Sequence, residues 1–217
     1  MSENQVVSKK RVIDHGEVYT ASREVNAMLD LVKQETERID SRFLEPACGT
    51  GNFLAEVLKR KLHIVLKRYS KSQVEYERYA VLAISSIYGI DILSDNVAAC
   101  QNRLFDIFDE QYRTLYTTKV KEECKKTVRF ILSKNIVWGD ALTLSSATDK
   151  NTPIVFSEWS PVNGSMMKRR DFTFAELLQN AEITALPLFS DRGEDVFIPK
   201  PIKDFPVTHF LRIADAD

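Results

Sequence analysis

The chain has 217 residues, 44% of them hydrophobic, which supplies one sizeable core and favours a single domain. Thirty basic residues against thirty-one acidic ones leave a formal net charge of -1, which excludes an overall field pulling the protein onto nucleic acid or an anionic membrane. Three cysteines without CxxC spacing and three scattered histidines argue against a disulfide framework and against a metal site.

The first twenty residues lack the apolar core of a signal peptide, and no later segment approaches the length of a membrane span. A soluble, cytoplasmic protein is expected. From Ser22, the spacing of Val25, Met28, Leu29 and Val32 predicts an amphipathic helix. "RFLEPAC" reads as a short buried strand, and Leu54, Val57, Leu58, Leu62, Val65 and Leu66 repeat with helical period behind the glycine turn "GTG". After the polar break "YSKSQ", the segment "VEYERYAVLAI" predicts another helix and "SIYGIDI" a second strand, a crossover of the kind parallel sheets need. Ser94 or Asp95 can cap the next helix. "KVKEECKKTVRFIL" predicts a further helix, "NIVWGDAL" a third strand, and "PIVFSEW" a fourth after the loop "TLSSATDKNT".

This alternation predicts a doubly wound, mostly parallel α/β sheet with a ligand crevice at the strands' carboxyl ends. An N-terminal helical segment over residues 1–40 and a cofactor core over 41–160 would belong to one domain spanning 1–217. Over 161–217 the pattern weakens, with "FTFAELLQN" expected as helix and "VTHFLRI" as strand. Lys168, Arg169 and Arg170 in "MMKRRDF" read as a solvated surface, or else as a local nucleic-acid contact.

Glycines in the turn let backbone approach a ligand, and the helix behind it offers free N–H groups. Gly49 and Gly51 are placed for that. Asp91, ending the second strand, can accept both hydroxyls of a ribose, and Asp140, ending the third, can accept from an adenine amine.

With these residues in order, the sequence resembles the S-adenosylmethionine-dependent DNA adenine-N6 methyltransferases of restriction-modification type. The matching segments are "HGEVYTASREVNAMLDLV", "FLEPACGTGNFL", "YGIDILSDNVAACQNRL" and "NIVWGDAL", together covering roughly Asp14 to Leu142. The resemblance implies a class I, Rossmann-like methyltransferase fold with S-adenosylmethionine as cofactor. It puts Tyr19 and Thr20 near the methionine end, and Glu45, Ala47, Gly49, Gly51 and Phe53 on the floor. Asp91 would hold the ribose, Ile92 would lie on the adenine, and Asp140 would bind its amine. Ala21 stands where the family usually has proline.

The family also carries [DNS]-P-P-[YFW] at the end of the fourth strand, where it accepts the amine hydrogens and stacks the extruded base. This sequence has no such tetrapeptide; "VFSEWSPVNG" stands there, and Glu158, Trp159, Ser160 and Pro161 are the candidate substitutes. The chain also lacks length for a target-recognition domain, so DNA would be read through a separate specificity subunit. The alternatives are a cofactor-binding subunit without turnover, or a methyltransferase for a non-DNA acceptor.

Overall fold

The computed structural model describes residues 20–184 and 199–216. Helix α1 (Ser22–Leu31) and the one-turn helix α2 (Lys33–Thr36) lead into strand β1 (Phe43–Glu45). Two helices, α3 (Asn52–Tyr69) and α4 (Gln73–Ser85), then cross to β2 (Ile87–Asp91). Two more, α5 (Ser94–Tyr116) and α6 (Glu122–Asn135), cross to β3 (Ile136–Asp140).

The three strands pair in parallel in the order β1-β2-β3, with Phe43 opposite Ile87 and Gly89 opposite Ile136. A short antiparallel strand, β4 (Ser145–Ser146), closes the β3 edge. Every residue of β2 is buried, as expected of a central parallel strand covered on both faces. Ile87 turns to the helical face with Leu54, Leu58 and Ile131, whereas Tyr88 and Ile90 turn to the other.

That other face is covered by a second sheet. Strand β5 (Val155–Pro161) forms a hairpin with β6 (Met166–Thr173), and short β7 (Lys203–Asp204) and β8 (Thr208–His209) both pair with β6. Helix α7 (Phe174–Thr184) follows β6. Tyr88 meets Phe156 edge-on at 5.4 Å between ring centroids, and its hydroxyl donates to the Ser157 carbonyl at 3.1 Å.

The molecule is therefore a mixed α/β domain with a parallel and an antiparallel sheet. The fourth predicted strand forms, but it does not extend the parallel sheet. Two physical reasons account for this. The connection through residues 141–154 contains no crossover helix, which a parallel neighbour requires. Asn163-Gly164 turns the chain back at once: Val162 N–H donates to Met166 O and Met166 N–H to Asn163 O, each at 3.0 Å, with Gly164 at φ 55°.

The basic triplet is neither a solvated cluster nor a free basic patch. It lies inside β6, so alternate side chains face opposite ways. Arg169 is buried on Asp171, with Nη2 to Oδ2 at 2.9 Å and the guanidinium 3.9 Å from the Phe205 ring centre. Lys168 pairs with Asp204, and Arg170 with Glu158. The predicted final strand shortens to β8, and residues Phe210–Asp215 form a 3-10 helix. Its Phe210 carbonyl accepts from Thr127 on α6 at 2.9 Å.

Candidate functional site

The carboxyl ends of β1, β2 and β3 open into a cavity of about 580 Å³. The strand ends bring Glu45, Asp91 and Asp140 to its wall, and the turn after β1 adds Ala47 and Gly49. Phe53, Ile92 and Thr20 complete the set of sequence-predicted residues that share this cavity. Tyr19 lies outside the described residues.

The turn is held from beneath. Gly49 N–H donates to Asp91 Oδ2 at 2.8 Å, while Asp91 Oδ1 accepts from Leu93 N–H at 2.9 Å and from Asn96 Nδ2 at 3.2 Å. A carboxylate offers about four lone-pair directions, and three are taken here, leaving Oδ2 room for one hydroxyl rather than the two expected of it. Asp91 also replaces Ser94 and Asp95 in the capping role: α5 starts after Leu93, whose N–H Asp91 satisfies, and it has no side-chain cap of its own.

Gly51 does not face the cavity. Its φ of 83° lies in the left-handed region, and a Cβ there would come within 2.7 Å of the Cys100 sulfur on α5. It serves the close approach of two helices, a different requirement from Gly49's contact with the cavity. Arg103 of α5 ties down the same turn, donating to Thr50 O at 3.3 Å and to Asn52 Oδ1.

The electrostatics of the strand ends differ among themselves. Burial raises the Glu45 carboxyl above its ordinary range, against a lowering hydrogen bond from the Ala47 backbone. Asp140 is held below its range, chiefly by Leu142 N–H at 2.9 Å. Among the described residues, none of the three carboxylates is ion-paired to a basic side chain. Unneutralised carboxylates around an apolar floor suit a ligand that brings hydroxyls, amines or positive charge.

Sequence reasoning missed Asn52, Asn96, Met28 and Leu142, which also line the cavity. Asn52 had a signal, since it directly follows the glycine turn. Asn96 had none, because its reach to Asp91 depends on the helix start. Among the described residues no three His, Cys, Asp or Glu side chains group so as to hold a metal ion.

Glu158, Trp159, Ser160 and Pro161 lie elsewhere. Trp159, Ser160 and Pro161 border a separate cavity of about 440 Å³ with Arg42, Ser85 and Ser86, the residues that precede β1 and β2. The structure thus sets them at the amino ends of the parallel strands, not with Glu45 and Asp140. Trp159 is 5% exposed, donates Nε1–H to Asn135 Oδ1 at 3.0 Å and meets Phe130 edge-on. Glu158 is held between Arg42 and Arg170.

A glycine turn, three strand-end carboxylates and an exposed apolar Ile92 define a cofactor-sized site on a mixed α/β domain. The family of MmeI DNA-methyltransferase domains matches residues 19–152. The chain belongs to that family, a DNA-methyltransferase family of restriction-modification type. Neither a curated protein nor a solved structure matches the chain. The matched span contains the whole cavity wall and stops just before β5.

Proposed function

We propose that this chain is the cofactor-holding part of an S-adenosylmethionine-dependent DNA adenine-N6 methyltransferase, working within a restriction-modification system. The observation that supports it is the run of Glu45, Asp91 and Asp140 at the ends of three consecutive parallel strands around Gly49. In this reading β1, β2 and β3 are one half of a doubly wound, Rossmann-like sheet. The remaining lone pair of Asp91 accepts a ribose hydroxyl, Ile92 lies against the adenine, and Asp140 accepts from its amine. Glu45 faces the cationic methionine end, with Thr20 closing that side and Phe53 beneath. S-adenosylmethionine supplies a methyl group on a positively charged sulfur. The protein's part is to fix that group at the mouth of the cavity and keep the cofactor's polar atoms satisfied.

Acceptor chemistry is not assigned to Glu158, Trp159, Ser160 or Pro161. A buried indole bonded to Asn135 cannot stack a flipped base without leaving the core. The isolated chain therefore binds cofactor without turnover, and DNA is reached through another subunit in the cytoplasm. Equilibrium dialysis with labelled S-adenosylmethionine should show binding that S-adenosylhomocysteine displaces and NADH does not. Deleting the coding sequence from its host should remove a set of N6-methyladenines from the genome. An unchanged pattern alongside cofactor binding would favour a regulatory subunit instead.

A further inference from the structure

The parallel sheet ends at β1. In the β1-β2 ladder Phe43 faces β2, donating to the Ser86 carbonyl at 2.9 Å, so the N–H and C=O of Leu44 point away from it. Neither has a hydrogen-bond partner among the described residues. Leu44 is 39% exposed, and the nearest charge, Arg42, is engaged by Glu158. Sheet edges are ordinarily blunted by free charge, proline or a covering element; this one is open beside Glu45 and Pro46, on the cavity wall. In doubly wound sheets the ligand crevice lies where strand order reverses, between two halves. Here the order runs β1-β2-β3-β4 without reversal.

We propose that a parallel strand from a second polypeptide completes the edge of β1, and that its carboxyl end brings the polar-Pro-Pro-aromatic loop to the cavity mouth. This rests on the adenine methyltransferase reading above. The chain cannot supply the loop itself, since no two of its seven prolines are adjacent. A second copy fits poorly: twofold pairing centred on Leu44 sets Arg42 against Pro46, which has no N–H to donate, and it brings no such loop either. Strand addition at an exposed edge is an established mode of polypeptide recognition, with backbone bonds giving affinity and side-chain pockets specificity.

The test uses the full chain expressed in its own host with a photoreactive amino acid in place of Leu44, and a control carrying it in place of the exposed Val74 on α4. Light should join position 44, and not position 74, to a different polypeptide within an apolar run that directly precedes a polar-Pro-Pro-aromatic sequence. Leu44→Pro, which removes the outward N–H and is tolerated on an edge, should abolish co-purification of that polypeptide. Its melting temperature should still rise with S-adenosylmethionine. Cross-links into this chain's own sequence, into a polypeptide without that run, or into none would overturn the proposal. If cofactor still raises the melting temperature in that case, the strand fails and the cofactor reading stands.

Discussion

The two sheets treat their acidic residues in opposite ways. In the antiparallel sheet each carboxylate has a basic partner: Glu158 lies between Arg42 and Arg170, Asp171 holds Arg169, and Asp204 meets Lys168. In the parallel sheet, Glu45, Asp91 and Asp140 stand at successive strand ends without one. Paired charges inside a fold fix a unique arrangement and leave nothing for a ligand. Acceptors left unneutralised at a cavity wall leave binding capacity for something the chain does not contain. The parallel half is therefore built as a receptor and the antiparallel half as a brace covering its second face.

The comparison breaks most readily at Trp159. If the antiparallel sheet is a brace, Trp159→Ala removes a buried aromatic and its bond to Asn135, costing about 3–5 kcal/mol of stability in denaturant titration. Cofactor affinity of the remaining folded protein should be unchanged. Lost affinity at full stability would make Trp159 part of the receptor.

Lys61 offers the next largest effect. It is fully buried on α3, and its Nζ donates to Ile39 O at 3.0 Å, to Ser86 Oγ at 2.7 Å and to Ser41 O, joining the segments that enter β1 and β2. Lys61→Met leaves those acceptors without a donor and should cost on the order of 3 kcal/mol. A loss within experimental error would mean that the entry to the parallel sheet is held by apolar contacts alone.

At the cavity the effects are smaller and fall on binding. Asp140→Ala should weaken S-adenosylmethionine about tenfold by calorimetry, the usual loss for one charge-assisted hydrogen bond, with thermal stability little changed. A matching loss of stability would return Asp140 to an ordinary loop role.

The smallest effect is a pH dependence. Burial raises the Glu45 carboxyl, so the native chain holds that proton to higher pH than the unfolded one. Its contribution to the free protein's stability thus declines as pH rises from the ordinary carboxylate range through the raised value. A cationic ligand needs the ionised form, so cofactor affinity should rise over the same window by a few-fold. Glu45→Gln should flatten that slope. A slope that persists in the variant would assign it to another group.

Much of the receptor half was legible because it obeys local rules. Leu54, Val57, Leu58 and Leu62 carry the helical period, "SIYGIDI" and "NIVWGDAL" read as buried strands, and Gly49 with Asp91 and Asp140 marks the strand ends. The number of hydroxyls Asp91 can accept was not legible, because its bonds to Leu93 and Asn96 depend on where α5 begins. In the brace half, "PIVFSEW" announces a strand but not its neighbour, since periodicity says nothing about pairing. Asn163-Gly164 carried the missing signal: a tight reversal between two extended runs marks a hairpin, not the end of a parallel strand. The triplet of Lys168, Arg169 and Arg170 hid β6 because a run of like charge masks the alternation of its side chains.

The central claim is that the ends of β1, β2 and β3 hold S-adenosylmethionine. Isothermal titration of the purified chain with S-adenosylmethionine, S-adenosylhomocysteine and NADH tests it most directly. The account predicts saturable binding of the first two at one site per chain, weakened by Asp140→Ala and unaffected by any substitution in β5 that leaves the protein folded. Heat from NADH alone, or from none of the three, would contradict it.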